Sequence, residues 1–232
     1  MTNRDKMNND STPRPRAIVY IDGYNWYHAI FKHRPEWKWL NIQSFFEMLR
    51  PRESVVSVKF FTAIVDEEDP NSEARERQSR YLAALGTLPK VKTIFGKFQN
   101  REVTCRAECG RKYQVPEEKK TDVNIAVEIM SDAFQNACDS IILVSGDSDA
   151  QPPLFWVKQN LSRKHISVYV PALPEEKSNR RLHFYQQNGI NCDFLPLDGI
   201  KGHLFKNAVR LAGDEARFVV KPSSWARPEP AR

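Results

Sequence analysis

Short uninterrupted apolar runs alternate along the chain with longer segments whose apolar residues recur at helical spacing. Ala17-Ile18-Val19-Tyr20-Ile21 is rich in β-formers and stops at Asp22-Gly23, which predicts a buried strand ending in a turn. A helix is expected from there through Phe31. Residues 32–40 (KHRPEWKWL) contain Pro35 and two tryptophans and read as a loop. Asn41 is placed to cap a helix carrying Ile42, Phe45, Phe46 and Leu49 on one face. Ser54–Thr62 alternates, predicting a second strand. Asp69-Pro70 opens a polar helix that runs to Gly86 with Tyr81, Leu82 and Leu85 inward. Val91–Phe98 predicts a third strand, and the polar, basic residues 99–118 read as an excursion compatible with a hairpin. Thr121 caps a helix with Ile125, Ile129 and Phe134 toward the core. Ser140–Ser145 (SIILVS) is the clearest buried strand, ending in Gly146-Asp147-Ser148-Asp149. A helix over 152–159, a strand over His165–Val170 stopped by Pro171, a helix over Asn179–Gln187 and a short strand at Cys192–Leu195 complete the pattern.

Strands alternate with helices five or six times, the pattern of an α/β fold with a mostly parallel sheet covered on both faces. Ligands of such sheets bind at the carboxyl ends of the strands. One domain over 17–210 is expected, between polar tails at 1–16 and 211–232.

Composition narrows the class. The chain has 232 residues, 41% hydrophobic and 28% charged, which suits one soluble domain. No apolar run approaches the ~18 residues of a membrane span, and residues 1–16 lack the apolar core of a secretory signal. Four cysteines (Cys105, Cys109, Cys138, Cys192) in a chain of this length do not make a disulfide scaffold. A cytoplasmic location is expected.

The net charge of +6 invites a nucleic-acid partner, but its distribution is more informative than its sum. Most of the excess lies in the two tails. From Thr121 to Val157 there is no Lys or Arg, while Asp122, Glu128, Asp132, Asp139, Asp147 and Asp149 all fall there. Residues 90–120, just before, hold nine basic residues against four acidic ones.

Acidic residues stand at strand ends where a phosphate-binding fold would carry glycines. Neither G-x-G-x-x-G nor G-x-x-x-x-G-K-[ST] occurs. The first strand ends at Asp22, the fourth at Asp147 and Asp149, and Asp122 opens a helix after Lys119-Lys120. Strand ends one and four are candidates for neighbours at the switch point of the sheet. Carboxylates converging there would repel each other, and a hard divalent cation would relieve that. A single Asp after a strand is more often a turn residue or helix cap, so each acid alone is equally well explained as structure.

Taken in order, three motifs carry a resemblance. Ile18-Val19-Tyr20-Ile21-Asp22-Gly23-Tyr24-Asn25, Glu118-Lys119-Lys120-Thr121-Asp122 and Leu143-Val144-Ser145-Gly146-Asp147-Ser148-Asp149 resemble the successive motifs of NYN domains, the PIN-like nuclease group that includes LabA-like proteins. The resemblance implies a three-layer α/β/α, PIN-like or Rossmann-like fold and Mg²⁺- or Mn²⁺-dependent ribonuclease chemistry. It assigns Asp22, Asp122, Asp147 and Asp149 to one or two metal ions, with Asn25 as a polar group of the catalytic site. One departure is visible: the family motif commonly continues with an aromatic residue, and this chain continues Ala150-Gln151-Pro152-Pro153.

Around this centre, Ser145, Lys119 and Lys120 are candidates for phosphate contact, and Arg101, Arg106, Arg111 and Lys112 for a patch that guides RNA. Each has a bland alternative: a structural serine, solvated lysines, a merely soluble excursion. Trp37 and Trp39 beside Lys32, Arg34 and Lys38 suit base stacking or core anchoring. Cys105-x₃-Cys109 is half a zinc site with no nearby completion, unless a homodimer pools two halves. The leading expectation is a metal-dependent nuclease acting on single-stranded RNA, with DNA also admissible. A non-catalytic RNA- or protein-binding module is the alternative. A phosphatase is a third, disfavoured by the absence of a D-x-D-x-T motif after strand one.

Overall fold

The computed structural model describes residues 13–64, 72–104, 109–211 and 216–226. Six strands form one all-parallel sheet: β1 Arg16–Asp22, β2 Ser54–Thr62, β3 Val91–Phe95, β6 Ser140–Val144, β7 His165–Val170 and β8 Asn191–Phe194. Two further strands, β4 Lys97–Thr104 and β5 Lys112–Lys119, pair antiparallel as a separate ribbon. A short C-terminal hairpin joins β9 Ala208–Arg210 and β10 Phe218–Val220. The large sheet has the order β3-β2-β1-β6-β7-β8. The chain therefore winds outward from β1 in one direction, returns across it, and winds outward in the other. The reversal falls between β1 and β6, the point where such sheets open a crevice.

The sheet is sandwiched because β1 alternates between two cores. Ala17, Val19 and Ile21 face one, and Ile18 and Tyr20 the other, as the two-residue period of a strand requires. The first core is covered by α1 (Gly23–Trp26, continued by a π-helical turn over Tyr27–Phe31), α2 (Ile42–Leu49) and α3 (Ser72–Leu85). The second is covered by α4 (Thr121–Phe134), α5 (Gln151–Asn160) and α6 (Asn179–Gln187). This is the α/β fold with a parallel sheet that the alternation of periods predicts. Asn41 caps α2 as its type suggests, its Oδ1 accepting from the Ser44 N–H at 3.0 Å.

Three local expectations change, and one open choice, that for Trp37 and Trp39, is decided. The strand expected over 91–98 breaks at Gly96, whose N–H donates to the Thr62 carbonyl at 2.8 Å. β3 ends there, and the chain leaves the sheet as β4. Phe134 is 62% exposed and packs on Trp156, ring centres 5.0 Å apart. Ile125, Ile129 and Ala133 already complete the inner stripe at four-residue intervals, and the next residue turns about 100° away. Trp37 and Trp39 are both buried in the first core. Trp39 donates its indole N–H to the Lys206 carbonyl at 2.9 Å, so these rings anchor a loop and are not presented to bases. Finally, residues 216–226, read from the sequence as part of a C-terminal tail, place Val219 and Trp225 in the first core. The Asp69-Pro70 helix start lies outside the described residues.

Candidate functional site

The end of β1 is built around one buried carboxylate. Asp22 is 4% exposed. Its Oδ1 caps α1 by accepting the Asn25 N–H at 3.0 Å, and its Oδ2 accepts the Ser145 hydroxyl at 2.9 Å. Gly23 must follow it, because a Cβ there would lie 2.5 Å from the Phe61 carbonyl oxygen and 2.8 Å from the Phe60 ring. Ser145, 1% exposed, continues β6 beside it and accepts the Asp147 N–H at 3.0 Å. Asp147 Oδ1 in turn accepts the Asp149 N–H at 3.0 Å. Asn25 closes the loop from the other side, its Oδ1 accepting the Gly146 N–H at 2.8 Å. The two strand ends at the switch point are thus tied to each other by side chains.

This wiring sorts the expected site residues by role. Ser145 and Asn25 hold the β6–α5 turn against β1; Ser145 is buried with its hydroxyl committed, so it positions Asp22 and Asp147 instead of facing a phosphate. On the same turn Asp147 is half-buried and Asp149 is exposed. Asp122 is exposed in the first turn of α4, which begins immediately after Lys120 in the left-handed conformation (φ 75°).

The acids sense one another. Burial, reinforced by the charges of Asp122 and Asp147, pushes the Asp22 carboxyl up to about 6 against the two hydrogen bonds that favour its anion. Asp122 is raised by partial burial and by the charges of Asp147 and Asp149. Among the described residues, no Lys or Arg forms an ion pair with any of the four. Nor do any three His, Cys, Asp or Glu side chains there stand in an arrangement that could hold a metal ion. The four acids share a field without sharing a coordination sphere as they stand.

The basic residues are spread along the ribbon. Lys119 pairs in register with Lys97 at its base, next to α4, and Arg101 pairs with Val115 halfway out. Arg111 and Lys112 are exposed at the far end, where Lys112 meets Glu102 at 2.7 Å. At about 3.3 Å per residue, that end lies roughly 20 Å along the strand from Lys119. Arg106 and Cys105 fall outside the described residues, and Cys109 is exposed. Cys138 and Cys192 are buried, as their apolar neighbours suggest.

One feature was not legible in the sequence. On the opposite layer from Asp122, a cavity of about 280 Å³ opens between α1, its π-helical continuation and α3, lined among others by Tyr27, Lys38, Phe60, Arg77, Tyr81 and Trp225. Its walls come from five separated stretches of chain, so no local spacing announces it.

Comparison with known proteins gives two matches. The family model for the NYN domain matches residues 16–190. The chain is also similar to 6-hydroxy-3-succinoylpyridine 3-monooxygenase HspA of Pseudomonas putida (strain DSM 28022 / S16), 28% identical over 254 residues. That alignment covers 93% of this chain and 77% of the relative. No solved structure gives a significant match.

Proposed function

The chain belongs to the NYN domain family, and on that premise we propose that it is a metal-dependent nuclease hydrolysing phosphodiester bonds of single-stranded RNA. The observation that carries this reading is the Asp22–Ser145–Asp147 linkage at the switch point, with Asp122 and Asp149 close enough to be felt and no cation among the described residues to neutralise them. The donor set suits Mg²⁺ or Mn²⁺: hard carboxylate oxygens, held partly buried in mutual repulsion. Asp22, Asp122, Asp147 and Asp149 would hold the ion only after drawing closer together than they stand in this structure. When bound, such an ion supplies charge neutralisation at the phosphodiester and a water of lowered pKa.

The chain's own residues do the rest. Ser145 and Asn25 fix where Asp22 and Asp147 stand relative to each other. Lys120, exposed two residues before Asp122, offers a charge for a neighbouring phosphate, and Lys119 sits beside it in sequence. The ribbon bearing Arg101, Arg111 and Lys112 extends a basic track away from the acids, suited to the flanking strand and carrying no base-specific information.

The test is cleavage of a labelled single-stranded RNA with Mn²⁺ or Mg²⁺, with single-stranded DNA in parallel. Activity should vanish in Asp147→Asn while circular dichroism stays unchanged. Undiminished cleavage by that variant would remove the acids from the mechanism. RNA binding without cleavage by the wild type would instead favour a non-catalytic RNA-binding module.

A second reading has a specific observation behind it. The relative is named as a monooxygenase acting on 6-hydroxy-3-succinoylpyridine, the similarity spans 93% of this chain, and the cavity is lined by aromatic rings. Oxygenation of an aromatic small molecule would draw on dioxygen and a two-electron reductant of the reduced pyridine-nucleotide class. Oxygen uptake with 6-hydroxy-3-succinoylpyridine and that reductant tests it directly.

A further inference from the structure

The cavity on the α1/α3 layer has a chemistry of its own. Its floor is made of Phe31, Phe60, Tyr81 and Trp225, all buried. The Tyr81 hydroxyl is already committed, donating to the Leu40 carbonyl at 2.9 Å. The floor therefore offers flat apolar surface. Tyr24 and Tyr27 stand exposed at the mouth.

Among the described residues, the polar groups on its wall are cationic or neutral and no Asp or Glu lines it. Lys38 has no carboxylate partner among the described residues. Its ammonium is held 4.9 Å from the centre of the Tyr27 ring and 5.8 Å from that of Trp225, an arrangement in which the rings replace a counter-ion. Arg77 meets Glu73 at 2.9 Å, but the Glu73 side chain is 83% exposed, so water screens that pair and leaves the guanidinium able to take an anion. His28, also on the wall, is kept toward its neutral form by burial and by Lys32.

We propose that this cavity binds a small planar aromatic carboxylate, its ring against the Phe60–Tyr81–Trp225 floor and its anion toward Lys38 and Arg77. A volume of about 280 Å³ is near the lower end of small-molecule sites. It suits one ring with a short acid chain, or two fused rings. Asp22 directly precedes Gly23 of the cavity wall, so a nucleotide is the competing occupant that the titration must separate. A pyridine bearing a succinoyl acid chain belongs to this ligand class, so the inference deepens the oxygenase reading of the same cavity and rests on it, while its test reads binding and not oxygen uptake.

The experiment is calorimetric titration of the full chain with benzoate and 2-naphthoate. The controls are 2-naphthamide (ring without charge), acetate (charge without ring) and uridine monophosphate. One-to-one binding of a carboxylate is expected, at least tenfold tighter than any control. Lys38→Met should weaken it at least tenfold and Lys38→Arg should restore most of it, with thermal midpoints of both variants confirming the fold. The proposal is overturned by no binding of either carboxylate, by equal binding of 2-naphthamide, by unchanged binding in Lys38→Met, or by tighter binding of uridine monophosphate. RNA cleavage by Lys38→Met should equal wild type, so the fate of the nuclease reading is scored separately.

Discussion

Two sets of carboxylates involve α4, one within the helix and one gathered at its start, and they differ in who neutralises them. Toward the middle of the helix, Glu128 and Asp132 both receive the ammonium of Lys59 from β2, and Asp132 also accepts the Tyr20 hydroxyl at 2.6 Å. Lys59 and Asp132 are buried. At the start of the helix, Asp122 shares its field with Asp22 and Asp147 and has no such lysine among the described residues. The first set is closed: each charge has a partner supplied by the fold, and desolvation is offset within the protein. The second set is open: among the described residues no cation pairs with it, and the proposed function assigns that role to a divalent ion. The acidic run between Thr121 and Val157 therefore divides into structural members (Glu128, Asp132, and Asp139 bound by Arg16 at 3.0 Å) and candidate functional ones (Asp122, Asp147, Asp149).

The largest test of this division is to remove the closed set's cation. Lys59→Met should leave two carboxylates facing each other in a mostly dry site. It should lower stability by about 3–5 kcal/mol, read as a fall in the urea midpoint, or prevent folding. Lys59→Met combined with Asp132→Leu and Glu128→Gln should recover much of that loss. If the single variant is as stable as wild type, the two sets are not different in kind.

Removing an acid from the open set should have the opposite sign. The Asp22 carboxyl is pushed up to about 6 from 3.8 by burial and by its acidic neighbours. Below pH 3.8 it is protonated in both folded and unfolded chains and carries no charge penalty. As pH rises through about 6, the folded chain must ionise a buried group that the unfolded chain ionises freely, and stability is lost. Asp22→Asn escapes that loss. With a chelator present, it should be more stable than wild type at pH 7.5, by at most about 3 kcal/mol, and the gain should shrink toward pH 4. A variant less stable than wild type at pH 7.5 would show that the hydrogen bonds from Asn25 and Ser145 outweigh desolvation.

The open set should also respond to a divalent ion, and the closed set should not. Mn²⁺ at a hundredfold excess over its dissociation constant would stabilise the wild type by about 2.7 kcal/mol, seen as a rise in thermal midpoint. That rise should disappear in Asp147→Asn and survive in Glu128→Gln.

How much of this the sequence displays depends on how local each cause is. β1 and β6 are legible because central parallel strands are buried on both faces and so appear as unbroken apolar runs. Asp22 and Asp147 are legible because strand, turn and acid are contiguous. The difference between Asp122 and Glu128 is not. Both are acids on one helix, and the lysine that separates them lies on β2, 69 residues before Glu128. Trp37 and Trp39 are ambiguous for a related reason: a tryptophan beside a lysine reads the same whether its ring faces a base or the core. The cavity is invisible because Trp225 reaches it from near the far end of the chain, and a terminal stretch rich in proline and arginine gives no sign of packing.

The smallest effect on stability belongs to the ribbon, and it separates binding from chemistry. Arg111 and Lys112 are exposed at the end of β4 and β5, and the Lys112–Glu102 pair at 2.7 Å has both side chains more than half exposed. An exposed pair of this kind contributes little, so Arg111→Ala with Lys112→Ala should move the thermal midpoint hardly at all. If the ribbon carries flanking phosphates, the same double change should weaken RNA binding across all sequences alike. It should also flatten the dependence of log affinity on log salt by about 1.4, two contacts at ~0.7 each for a single strand. On the nuclease reading, the cleavage rate at saturating RNA should stay at the wild-type value, because that reading assigns bond breaking to the acids some 20 Å along the ribbon. A fall in saturated rate with an unchanged salt slope would place these two residues with the open carboxylates and dissolve the separation between track and centre.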